Sequence, residues 1–171
     1  MAKYDSGYFK DFNFNSIMRS AKVDETLLQT VVCRNLYTWW KSFHPKLPSR
    51  KDFDILDHLK AAPHIFMIEV LPNHEFLYRT QGEEVINLIG MNNMGKVFSR
   101  TCGDKSMENF AIFLHEVIDH RKAIHSYGTM EAMGRAFLHF EAFDLPLINE
   151  EGEVTHILGA IASSGKYDEK Y

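Results

Sequence analysis

Gly90, Gly95 and Lys96 reproduce the Gly-x4-Gly-Lys spacing of a loop that cradles phosphate with backbone N–H groups. Val97 stands where that chemistry needs a Ser or Thr hydroxyl for magnesium, and VFSRTCGD is a poor helix where the loop should open one. The glycines are therefore read as positions that allow positive φ. Nine histidines raise the question of metal or haem. His115 and His120 fall on a helical stretch, but at ~100° per residue His115 points away from the Phe110, Leu114 and Val117 face and His120 sits at its edge. Both are expected at the solvent edge, and no haem is expected. His115 and Asp119, at i and i+4, read as a surface pair rather than metal ligands. No metal site and no catalytic residue is assigned: Gly-x-Ser-x-Gly, Gly-x-Gly-x-x-Gly after a strand and His-Glu-x-x-His are all absent.

Charged residues inside apolar strands carry more information. Across residues 137–144, alternation puts Phe137, His139, Glu141 and Phe143 on one face and Leu138, Phe140, Ala142 and Asp144 on the other. Arg79 shares a face with Leu77, and Tyr78 with Phe76. Facing the helices, Arg79, His139 or Glu141 would be a buried charge needing a partner or a ligand group. Facing outward, they would be solvent-side residues or dimer contacts. The sequence leaves both orientations open. A pairing of His139 with Glu141 or Asp144 would suit a general acid–base enzyme only if a further residue reached the same pocket from elsewhere.

The elements that must position these residues follow from periodicity. Apolar residues recur every three to four positions from Asp24 to Phe43, predicting a long N-terminal helix closed by His44-Pro45. Residues 65–71 and 76–81 read as strands joined by a turn at Pro72-Asn73-His74-Glu75. A short helix follows Gly82, residues 90–99 are irregular, and a long helix starts at Asp104. Residues 124–130, 134–147 and 154–163 complete the strands, the last two flanking an Asn149-Glu150-Glu151-Gly152 turn. Grouped strands with a helical insertion predict an α+β fold built on an antiparallel sheet.

Composition agrees with one domain: 171 residues, 45% hydrophobic, 13% aromatic and 25% charged. A chain this long buries roughly 70% of its unfolded surface, so folding requires no disulfide, metal or cofactor. With 19 Lys+Arg against 23 Asp+Glu and no basic run, nucleic acid is not an expected partner. No stretch has the ~18–20 apolar residues that cross a bilayer, and a cytoplasmic location is expected. Cys33 and Cys102 are read as reduced thiols.

Taken together, LPSRKDFDI, IFMIEVL, FLYRTQGEEVINLIGMNNMGKVF and FEAFDLPLINEEGEVTHILGA resemble the PAS_5 (DUF1457) family of PAS domains. The motifs are Leu-Pro-Ser-Arg at 47–50, Tyr-Arg-x-x-Gly at 78–82, the 90–95 loop and Leu-Pro-Leu at 145–147. The resemblance implies a five-stranded antiparallel sheet in the order 2-1-5-4-3, helices on one face, and an additional N-terminal helix through which such domains dimerise. It also implies a sensory or interaction module that binds a small molecule between sheet and helices, or a partner protein.

On this reading, residues 1–23 form an aromatic arm, 24–46 the N-terminal helix, 47–165 the PAS-like domain and 166–171 a tail. The candidate pocket comprises Phe66, Ile68, Tyr78, Arg79, Phe110, Phe113, His139, Phe140 and Glu141. Methionines such as Met67, Met107, Met130 and Met133 suit an adaptable cavity or simple gap-filling. Leu28, Val32, Leu36, Trp39 and Trp40 are the candidate dimer interface. The expected function is a stand-alone sensory module without an output domain, acting through a small ligand, a second copy of itself or a signalling protein. A small cone-shaped α+β enzyme and a ligand-free adaptor are the alternatives.

Overall fold

Two apolar runs within residues 65–81 fold into the expected hairpin. Strand β2 (Ile65–Val70) pairs antiparallel with β3 (Phe76–Gln81), placing Ile68 opposite Tyr78 and Val70 opposite Phe76. The intervening turn holds Asn73 and His74 at positive φ, a conformation that asparagine tolerates better than most residues. Strands β6 (Arg135–Ile148) and β7 (Val154–Ser163) form the second expected hairpin, whose turn closes with Gly152 at φ 81° and a hydrogen bond from Asn149 N–H to the Glu153 carbonyl. The computed structural model describes residues 17–130 and 135–164. Most of the aromatic arm, Met133 and the tail lie outside the described residues.

The described sheet has seven strands, not five. Strand β1 (Met18–Ser20) lies along β5 (Ile124–Met130), and β4 (Val97–Phe98) along β3, giving the order β1-β5-β6-β7-β2-β3-β4. Numbered among themselves, the five longer strands keep the expected 2-1-5-4-3 order. The two additions pair what would otherwise be open edges, whose N–H and C=O groups need partners. They are too short for hydrophobic periodicity to reveal.

The expected long N-terminal helix is also corrected. Asp24 caps only a single 3-10 turn (Glu25–Leu27), Leu28 is extended, and helix α1 covers Val31–Lys41. Thr30 caps α1 by accepting a hydrogen bond from Cys33 N–H at 3.2 Å. The backbone N–H groups of Gln29 and Thr30 point at a side chain across the sheet, which stops the helix from running through them. Apolar spacing alone cannot see this break, because Leu27 and Leu28 keep the period.

Helices do not cover one face only. Helix α2 (Glu83–Ile89) and helix α3 (Lys105–His120) cover one side of the sheet, and α1 packs on the other. Cys33 and Leu36 of α1 enter a second core with Phe53, Phe143, Leu145, Leu147 and Leu158. Each fully buried side chain of this size contributes about 1.5–3 kcal/mol. Leu28 and Leu36 are therefore interior to their own chain and are not dimer contacts, while Val32, Trp39 and Trp40 are half-buried against the same core. Trp40 donates its indole N–H to the Pro146 carbonyl at 3.0 Å. Among the described residues, no helix is long and apolar enough to cross a membrane.

Candidate functional site

Strands β2, β3, β5, β6 and β7 turn large side chains toward α3, and the packing leaves a cavity of about 290 Å³. Its aromatic walls are Phe66, Tyr78, Phe110, Phe113 and Phe140, with Met107, Met130 and Ile161 filling between them. An apolar cavity of roughly 150 Å³ accepts benzene, so this one has room for a bicyclic molecule. Asp104 fixes the start of α3 beside it, accepting from Ser106 N–H at 3.0 Å and Met107 N–H at 3.2 Å.

The 90–95 loop closes one end. Gly90 and Gly95 both sit at φ 80°, where only glycine is free of strain. Gln81 pins the loop, donating to the Met91 carbonyl at 2.9 Å and accepting from Asn93 N–H at 2.6 Å. Met91 and Asn93 line the cavity. The residues after Lys96 form β4, so the loop lacks the helix that a phosphate cradle requires.

Of the two acids in the lining, Asp104 caps α3 and Asp144 is left to the cavity. Asp144, on β6, is 3% exposed, and its Oδ1 has no hydrogen-bond partner. Burial pushes its carboxyl up to about 7 and outweighs the Arg19 charge, which pulls the other way. Arg19 is itself engaged, at 3.0 Å from Glu116 and with its guanidinium 3.7 Å from the centre of the Phe113 ring. Burial, and then the Asp144 charge, raises the Tyr78 phenol above its ordinary value.

Five of the nine expected pocket residues, Phe66, Tyr78, Phe110, Phe113 and Phe140, line the cavity. Ile68 is fully buried in the adjoining core without reaching it. Arg79 lies on the opposite face, exposed and paired with Glu69. His139 also lies on that face, half-buried. Glu141 is 0% exposed, but beneath α1 rather than in the cavity. It accepts from Gln29 N–H at 2.6 Å, Thr30 N–H at 2.9 Å and the Thr30 hydroxyl at 2.8 Å, with His125 Nε2 at 3.2 Å. Burial works to raise this carboxyl, yet the summed hydrogen bonds outweigh burial and hold it below the ordinary carboxylate range. Which residues share its face was legible, but neither the direction of that face nor the element covering it was.

The sequence reading missed Asp144 and Arg19 as cavity residues. Asp144 carried a signal, since it shares a strand face with Phe140 and Ala142 inside the run FEAFDLPL. Arg19 carried none, because the arm shows no period. His139 and Asp144 occupy opposite faces, so they do not form the acid–base pair considered for an enzyme. His115 is half-buried, with its ring 5.0 Å from Phe76 and 5.4 Å from His74, rather than at the solvent edge.

A model of the PAS_5 family, described as a PAS domain, matches residues 29–162. The chain belongs to the PAS_5 family. No curated protein matches it. Among solved structures, this PAS domain is similar to the dark structure of the blue-light photoreceptor Aureochrome1 LOV, at 12% identity over 70% of this chain and 88% of that one, with a TM-score of 0.43. It is also similar to an RNA-binding Light-Oxygen-Voltage receptor, at 17% identity over 68% of this chain and 35% of that one, with a TM-score of 0.40. The match thus spans about a third of that receptor. A sensory box sensor histidine kinase from Vibrio cholerae aligns at 14% identity over 65% of this chain and 87% of that one, with a TM-score of 0.36. These likenesses are of fold.

Proposed function

We propose that this PAS domain is a sensory module whose state is set by a small molecule held between the sheet and α3. The observation that carries the reading is the aromatic cavity of about 290 Å³ with one buried, unpartnered acid. A filled structural core would close such a space, since each unfilled volume loses packing contacts. Strand β6 offers a route outward. Phe140, Ala142 and Asp144 face the cavity, and the intervening Glu141 and Phe143 hold α1 on the other side. A ligand that shifts β6 alters the seat of α1, and α1 then presents a changed surface to a protein partner.

Ala142→Leu, which extends a side chain into the cavity, tests the reading. Native mass spectrometry of protein isolated from its own cells, with a thermal-shift screen of small aromatic compounds, should give a one-to-one complex for the parent and none for the folded variant. No complex with the parent, or equal binding by both, contradicts the assignment.

A further inference from the structure

A carboxyl oxygen buried without a partner is expensive, because it gives up water and receives nothing in return. Asp144 Oδ1 is in that position, while several of the polar groups around it are engaged. Arg19 is held by Glu116 and lies over Phe113, and Asp104 caps α3. Asn93 accepts from the Lys96 ammonium at 3.0 Å through its side-chain oxygen. A bound molecule thus meets aromatic faces on most sides and, at Asp144 Oδ1, an acceptor awaiting a donor.

Resting on the ligand-binding reading above, we propose that the cavity takes a planar, bicyclic aromatic molecule bearing a basic nitrogen, with that nitrogen donating to the Asp144 carboxylate. The aromatic part matches the space: about 290 Å³ is roughly twice a benzene-sized cavity. The basic nitrogen matches the charge. A buried charge lacking its partner is the costly arrangement, and supplying the partner recovers a charge-assisted hydrogen bond in a low-dielectric site. Phe66, Phe110 and Phe140 add ring faces that attract a cation. An anionic ligand would instead place its charge beside Asp144 and compete with Glu116 for Arg19. With its carboxyl raised to about 7, Asp144 is near the midpoint of its titration at neutral pH, and an incoming cation draws it into the ionised form.

Three probes of similar shape separate the terms: 1-naphthylmethylamine, 1-methylnaphthalene and 1-naphthoate. Their dissociation constants are measured at pH 8 by calorimetry, or by competition where solubility requires. The amine is expected to bind the parent protein at least about tenfold more tightly than either analogue. Asp144→Asn should erase that preference while still binding 1-methylnaphthalene, with circular dichroism showing that the variant is folded. Asp144→Ala serves as the second variant should the first not fold. Tighter binding of the naphthoate, or an amine preference that survives both substitutions, overturns the ligand class and leaves the cavity reading standing. Failure of all three probes to bind the parent overturns both.

Discussion

Glu141 and Asp144 lie three residues apart on β6, and their carboxyls enter opposite cores. Glu141, under α1, meets donors from Gln29, Thr30 and His125, whereas Asp144 Oδ1, in the cavity wall, has no partner. Burial raises one carboxyl, and hydrogen bonding lowers the other in spite of burial. One acid fastens the N-terminus of a helix, and the other faces the cavity.

Opposite shifts give opposite pH dependences. Asp144 rises from 3.8 to about 7 on folding, so its stabilising contribution is complete below pH 3.8 and is lost as pH rises through 7. The loss is on the order of 4 kcal/mol. Asp144→Asn removes that slope. Urea unfolding should show the variant gaining on the parent by a few kcal/mol between pH 4 and pH 8.

Glu141 carries the reverse sign. Its folded carboxyl is below the ordinary 4.5, so its contribution is present above pH 4.5 and is lost as pH falls through the folded value. Glu141→Gln replaces one acceptor with an NH2 group facing backbone donors. The expected cost is about 2–3 kcal/mol at pH 7, with faster hydrogen exchange at Gln29 and Thr30. Unchanged exchange there would separate Glu141 from the anchoring of α1.

Gly159 has no room for a methyl group. A Cβ there would lie 1.9 Å from the Phe66 ring across the β2–β7 pair. Gly159→Ala must push that ring, which itself lines the cavity, into the open space. The variant should lose about 1–3 kcal/mol of stability in urea titrations and bind aromatic probes more weakly.

The two thiols should react at very different rates. Cys33 is 0% exposed, and burial, then the Glu141 charge, raises its thiol above the ordinary value. Cys102 is exposed. A thiol-exchange reagent should modify one cysteine quickly in the native protein and both after unfolding. Fast modification of Cys33 in folded protein would contradict the packing described for α1.

Much of the fold was legible because β2, β3, β6 and β7 are strand-like apolar runs, and their hairpin turns carry residues suited to the geometry, Asn73 in one and Asn149 with Gly152 in the other. The aromatic cavity walls were legible as large rings on core elements, with Phe66, Tyr78 and Phe140 on three different strands. What escaped depends on long-range contact. The seat of α1 rests on Gln29 and Thr30 meeting Glu141, more than a hundred residues away in sequence. The pairing of β1 with β5 brings Arg19 to the cavity by a similarly distant route. Local periodicity carries no trace of either.

The most direct test is an NMR titration of isotopically labelled protein with 1-naphthylmethylamine. Saturable, one-to-one shifts should concentrate on Phe66, Tyr78, Phe110, Phe140 and Asp144, with smaller shifts at Glu141 and Thr30 as β6 responds. Shifts confined to the surface of α1, or no saturable shifts at all, would contradict a ligand site between the sheet and α3.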